Sequence, residues 1–347
     1  MTDLAYTIKD FKSDSEVRWC PGCGDYAIMN AVQRTMAEMG IPREKFAIIS
    51  GIGCSSRFPY YMSTYGFHTI HGRATAVASG VKIANPDLNV WVITGDGDAM
   101  AIGGNHFIHL IRRNIDINLI LFNNKIYGLT KGQYSPTSDR GIKTKTSPFG
   151  TVESPFVTGQ LVIGARGTFF ARSIDSNVKL SESIFTSAAK HKGTSMVEVL
   201  QNCVIFNDGV HSAINDPEFR AERQLIVEHG KPMLFGEAND KGIIIDKGKL
   251  KVAKIGENGV TINDILVHDA TEPDPSIHMS LINMQLPDFP VVLGVIRSVD
   301  APVYDIEIET QIKEVQQNSK ITCVDELLNS GSTWKVTGNK HSNKNCL

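Results

Sequence analysis

The chain has 347 residues, 41% of them apolar and 21% charged, an ordinary globular composition with ample length for a sizeable core. A formal net charge of −2 gives no electrostatic case for nucleic acid or an anionic membrane, and no apolar run approaches a membrane span. No basic-then-apolar signal region opens the chain, so the expected location is the cytoplasm, where six cysteines point to metal ligation, catalysis or packing rather than disulfides.

Residues 1–16 are polar and read as an arm that docks on something larger. A CPGC follows at Cys20–Cys23, then helical periodicity over 25–40 and a buried-type strand over 46–50 that ends in GIGCSSR. Residues 68–72 read as extended and 73–84 as a small-residue helix. Residues 89–94 are β-branched and apolar, 99–114 carry a helical pattern, and 117–122 is a second apolar strand. The polar stretch 127–152 is long enough to be a functional loop. Helix (154–164), strand (168–172), helix (176–191) and strand (195–200) then alternate. This alternation predicts an α/β fold, a mostly parallel sheet flanked by helices. Beyond 207 the pattern predicts a charged helix over 216–230, a hairpin over 242–254, a turn at TEPDP, a helix over 278–286, a strand over 291–295 and a charged helix over 306–317.

The organising stretch is the strand–helix–strand unit around residue 95. Its two strands pair in parallel, so the loops after them leave one edge of the sheet, where open α/β sheets bind ligands. Gly95-Asp96-Gly97-Asp98 ends the first strand and Asn123-Asn124 the second. The glycines admit a close diphosphate, and Asp96 and Asn124 are hard oxygen donors suited to Mg²⁺. The plainer reading is a glycine turn and an asparagine turn; strand–GDG–helix–strand–NN favours the thiamine diphosphate fingerprint.

Cys20 and Cys23 can reach one metal centre, and Cys54 and Cys203 both lie just past apolar strands. If those strands are parallel neighbours, four thiolates converge beside the diphosphate loops. Such a set suits zinc or an iron–sulfur cluster, and a CxxC alone also serves as a redox dithiol. Cys323 reads as core and Cys346 as an incidental tail thiol.

Together WCPGCGDY, GIGCSSRFPYY, HTIHGRATAVASGVKIANP, GDGDAMAIGGNHF, NNKIYGLTKGQYSPTS and QNCVIFNDGVH resemble the β subunits of 2-oxoacid:ferredoxin oxidoreductases. The resemblance runs from Val17 to Phe219, and TEPDPSIHMSLI is similar to the family's C-terminal arm. It implies a [4Fe–4S] cluster on Cys20, Cys23, Cys54 and Cys203, and Mg²⁺ on Asp96, Asn124 and the Ile126 carbonyl. It further implies thiamine diphosphate held by Gly53, Cys54, Ser55, His71, Gly95, Asp96, Gly97, Asp98, Asn124, Leu129 and Thr130. His71 and Arg73 would face the reaction, with Thr130 and Lys131 facing substrate. Taken alone, His71 reads as a backbone-bonded core histidine, Arg73 as a helix start and Lys131 as a solvated loop lysine. CVIFN stands where many members have CPTYN, which keeps the cysteine.

The implied reaction is oxidative decarboxylation of a 2-oxo acid, 2-oxoglutarate favoured, with CoA to acyl-CoA and CO₂, electrons passing through the cluster to ferredoxin. Only the diphosphate half of a thiamine site is visible, so an α subunit is expected to supply the pyrimidine half. The expected organisation is an arm over 1–16, a thiamine diphosphate-binding domain over 17–207, a C-terminal extension over 208–338 and a disordered tail over 339–347. The alternatives are a non-oxidative thiamine decarboxylase half and a zinc-stabilised, non-catalytic scaffold subunit.

Overall fold

The computed structural model describes residues 5–336, so the tail over 339–347 and Cys346 lie outside the described residues. The chain divides into two units, Met1–Asp305 and Ile306–Leu347. The second holds the later part of a helix that ends at Asn318 and the short helix Val324–Leu328. Cys323, expected in the core, is exposed.

The first unit is built on an eight-stranded sheet. In chain order its strands are β1 (Phe46–Ser50), β2 (Tyr65–His68), β3 (Asn89–Gly95), β4 (Asn118–Asn123), β5 (Phe169–Ile174), β6 (Ser195–Leu200), β7 (Gln224–Val227) and β8 (Val291–Ser298). Their spatial order is β2-β1-β3-β4-β6-β5-β8-β7. The first six in that order pair in parallel; β8 runs antiparallel to β5 and parallel to β7. The expected α/β class, mostly parallel and covered by helices, is what the chain adopts. A separate hairpin, Lys241–Asp246 with Lys249–Lys254, adds a small antiparallel sheet.

Strand side chains alternate between two cores, as the two-residue period requires. Ile48, Trp91, Ile93, Ile120, Phe122, Val197 and Val199 point to one. There they meet α1 (Asp25–Glu38) and, further along the chain, Val178–Lys190, which pack together. Ile49, Val92, Leu119, Leu121 and Met196 point to the other. That second face is covered by α2 (Ala74–Ala84) and the helix Gly104–Arg113. Burial on both faces explains why β3 and β4 read as continuous apolar runs.

Three expected elements differ. The helix over 99–114 is split: α3 (Asp96–Met100) ends in a turn, and α4 (Gly104–Arg113) follows, closed by Asn114 in the left-handed region. The extended stretch falls earlier, at β2, while His71 and Gly72 form a turn. The charged helix over 216–230 shrinks to Arg220–Arg223 before β7, whose Leu225 and Val227 are buried. Pairing with β8 outweighs local helix propensity there.

Candidate active site

Parallel pairing brings the C-terminal ends of β1, β3, β4 and β6 to one edge, with Gly95 opposite Phe122 and Asn123 opposite Leu200. The loops leaving these ends carry Gly53–Ser55, Asp96–Asp98, Asn124–Lys131 and Cys203. The CPGC turn joins them: the Gly24 N–H donates to the Asn202 carbonyl, and the Trp19 indole donates to the Cys54 carbonyl at 2.6 Å.

One cavity of about 50 Å³ is lined by Gly53, Cys54, Ser55, His71, Gly95, Asp96, Gly97, Asp98, Asn124, Leu129 and Thr130. Ile126 and Tyr127 line it too. Asp96 is buried, which pushes its carboxyl up to about 6 against the opposing pull of Ser135 and Thr137. Its Oδ2 accepts from the Ser135 and Thr137 hydroxyls. The Asn124 Oδ1 accepts from the Ile126 N–H at 3.1 Å, closing a tight loop around Lys125 at φ 54°. The Tyr127 hydroxyl donates to the Gly97 carbonyl, and its ring lies so close that a Cβ on Gly97 would sit 2.3 Å from it. Only glycine fits there.

Asp98 has a different task. Its Oδ1 accepts from the Gly72 N–H at 2.9 Å and lies 3.5 Å from His71 Nδ1. Burial raises its pKa, opposed by these bonds. The carboxylate thus shapes the turn that carries His71, whose side chain is largely exposed. Arg73 begins α2 and lines neither this cavity nor the next.

A second cavity, about 190 Å³, is lined by Cys20, Cys23, Cys54 and Cys203 together with Arg18, Arg57 and Lys131. Gly128 lies beside two of the thiols: a Cβ on it would sit 3.5 Å from the Cys203 sulfur and 3.7 Å from the Cys54 sulfur. Burial pushes the Cys23 thiol up and Cys54 up to about 11, helped in each case by the Asp25 charge and by neighbouring thiols. Among the described residues, no three His, Cys, Asp or Glu side chains converge on a point that would hold a single metal ion. The thiols surround a space instead. Lys131, expected to face substrate, lines this cavity and not the first.

The cavities adjoin. Cys54, Asn124, Gly128 and Leu129 line both. Sequence reasoning missed three contributors. Gln201 donates to Cys23 Sγ and accepts from Asn124. Asp25 is buried, with its Oδ2 unpaired; burial raises it to about 7. The hydroxyls of 135–138 hold Asp96 and the Lys125 carbonyl. The run of small hydroxyl residues in SPTS was the one available signal for these last.

Residues 51–199 match the family described as thiamine pyrophosphate enzyme, C-terminal TPP binding domain. The 2-oxoglutarate oxidoreductase subunit KorB of Mycobacterium tuberculosis is 47% identical over 339 residues, which span 96% of this chain and 90% of that protein. The 2-oxoglutarate synthase subunit KorB of Archaeoglobus fulgidus is 46% identical over 53% of this chain and 69% of its own length. Among solved structures, 2-oxoglutarate:ferredoxin oxidoreductase from Magnetococcus marinus, with 2-oxoglutarate, coenzyme A and succinyl-CoA bound, aligns at a TM-score of 0.75 and 32% identity. That alignment covers 94% of this chain and 97% of the other. Among the described residues no helix is long and apolar enough to cross a membrane. Identity of this degree over nearly the whole chain establishes that it belongs to the β subunits of 2-oxoacid:ferredoxin oxidoreductases, enzyme subunits that act together with partner subunits.

Proposed function

We propose that the chain is the β subunit of a CoA-acylating 2-oxoglutarate:ferredoxin oxidoreductase, with thiamine diphosphate and Mg²⁺ in the first cavity and a [4Fe–4S] cluster in the second. The observation that carries this is the shared wall: four cysteines surround a space that touches the GDG and NN loops through Cys54, Asn124, Gly128 and Leu129. Redox chemistry at a thiamine site requires an electron acceptor at that distance, whereas a non-oxidative decarboxylase has no use for the second cavity.

The donor sets fit these groups. Asp96, Asn124 and the Ile126 carbonyl are oxygen ligands suited to Mg²⁺. Four thiols around a cavity, rather than on a point, suit a polynuclear cluster better than one zinc ion. Arg18 and Arg57 would offset the negative charge of a thiolate-ligated cluster. Gly97 makes room for the Tyr127 ring that walls the first cavity, and the small size of that cavity leaves the rest of the cofactor to an α subunit. Exposed Ile70, Ile102 and Leu129 give that partner apolar surface to cover.

Thiamine diphosphate, when bound, supplies the electron sink that lets a 2-oxo acid lose CO₂. The protein places and protects. Asp98 beside Nδ1 orients the His71 ring so that Nε2 is presented to exchange a proton at the reacting centre. Thr130 on the first cavity and Lys131 on the second bracket the substrate side, where the Lys131 ammonium would bind a carboxylate. Oxidising the decarboxylated acyl unit to the thioester level yields two electrons, which a cluster held by Cys20, Cys23, Cys54 and Cys203 would accept one at a time. Cys20 is exposed, so ferredoxin can approach the outer face of the second cavity. Arg73 would serve from the start of α2, beyond the cavity wall. Co-expression with an α subunit should give CoA-dependent viologen reduction fastest with 2-oxoglutarate; a preference for pyruvate would remove the substrate assignment.

A further inference from the structure

Residues 135–139, SPTSD, form a clasp across the two loops that carry the proposed magnesium ligands. Ser135 donates to Asp96 Oδ2 at 2.5 Å, and the Thr137 hydroxyl lies 2.5 Å from the same oxygen. Thr137 also lies 2.9 Å from Asn123 Oδ1, on the residue before Asn124. Ser138 donates to the Lys125 carbonyl at 2.6 Å and accepts from the Ser135 N–H at 2.8 Å. Asp139 accepts from Lys125 Nζ at 2.8 Å. Ser135, Thr137 and Ser138 are all buried. Every polar side chain of the segment therefore touches Asp96 or the Asn123–Lys125 loop.

The clasp is itself anchored. The Asn123 amide donates to Glu198 Oε1 at 2.8 Å, and Thr158 donates to the same oxygen at 2.7 Å. Arg172 donates to Glu198 Oε2 at 2.7 Å from the adjacent strand. Both hydroxyls on Asp96 engage Oδ2, which leaves Oδ1 free of side-chain donors among the described residues. A carboxylate gripped at one oxygen has little rotational freedom, so its other oxygen is pre-set relative to Asn124.

We infer that Ser135 and Thr137 are positioning residues that orient the Asp96 carboxylate for Mg²⁺ and lock the GDG loop to the NN loop. The inference rests on the reading of Asp96 and Asn124 as magnesium ligands. Neither residue lines the first or the second cavity.

The test uses the complete complex with its α subunit, stripped of thiamine diphosphate and Mg²⁺. Mg²⁺ is titrated at fixed thiamine diphosphate and followed by calorimetry, with the cluster's EPR signal as the control for folding. Thr137→Val and Ser135→Ala should each raise the Mg²⁺ half-saturation concentration by about tenfold to a hundredfold. Thr137→Ser should restore it, because the hydroxyl returns. Unchanged Mg²⁺ affinity in Thr137→Val and Ser135→Ala, while Asp96→Asn loses it, would overturn the clasp alone. Unchanged affinity in Asp96→Asn would overturn the underlying ligand assignment as well. If Thr137→Val does not assemble, Ser135→Ala decides: a tenfold loss supports the clasp and none refutes it.

Discussion

The side-chain amide of Asn124 donates to Gln201 Oε1 at 2.9 Å, and the nitrogen of that same Gln201 amide lies 3.4 Å from Cys23 Sγ. One buried glutamine thus spans the proposed magnesium loop and the proposed cluster. An N–H directed at a cluster thiolate stabilises the more negative, reduced state. Gln201→Leu should therefore shift the midpoint potential negative. A hydrogen bond to a charged group is worth ~1.5 kcal/mol, which for one electron is about 60 mV. An EPR-monitored redox titration measures it.

The four cysteines should act as a set. Replacing Cys20, Cys23, Cys54 or Cys203 by Ser should remove most iron and sulfide, and with them ferredoxin or viologen reduction. Cys323→Ser should retain both, since Cys323 is exposed and lines neither cavity. Iron and sulfide analysis of anaerobically purified variants decides this.

Asp96 makes the stripped protein sensitive to pH. Its carboxyl titrates at about 6 when folded against a usual 3.8, so folding is penalised whenever it is ionised without a cation. The penalty is absent below about 3.8, grows as pH rises towards 6 and is complete above that. Without Mg²⁺, Asp96→Asn should be more stable than the unaltered chain at pH 7.5, by on the order of 3 kcal/mol. The gap should close on acidification through that window, and Mg²⁺ with thiamine diphosphate should stabilise only the unaltered chain. Thermal denaturation across pH, with and without Mg²⁺, reads both effects.

Gly97→Ala should drive a methyl group into the Tyr127 ring. Overpacking of this kind costs about 1–3 kcal/mol of stability, and the displaced ring intrudes on the first cavity. Thiamine diphosphate affinity should fall by at least about tenfold, since 1.4 kcal/mol is one such factor. Calorimetric titration of the complex checks this.

Glu198→Ala should be among the most damaging changes distant from the chemistry. It strands the buried Arg172 guanidinium and frees Asn123 and Thr158. Breaking a buried pair from one side costs roughly 3–5 kcal/mol. Denaturant unfolding should show that loss, together with weaker Mg²⁺ binding through the loosened Asn123 loop.

The placement of the local motifs was legible in the sequence. The GDG and NN turns follow apolar strands, and parallel pairing of those strands brings the turns to one edge. The CPGC spacing and two strand-end cysteines led to four thiols on one cavity. Features set by distant contacts were not legible. β7 is a strand because β8 pairs with it, although its charged flanks read as helix. Lys131 follows the loop onto the cysteine side, at φ 77°, which no spacing rule encodes. Gln201 and the Ser135–Ser138 hydroxyls gain their meaning only when β4, β6 and the long loop meet.

The most direct test is the metal and sulfide content of chain purified without oxygen, with an EPR spectrum after dithionite reduction. About four iron and about four sulfide per chain are expected, with a signal that appears on reduction, as a Cys-ligated [4Fe–4S] cluster requires. About one zinc per chain without sulfide would contradict it, and would leave the four cysteines as a structural site beside a thiamine fold.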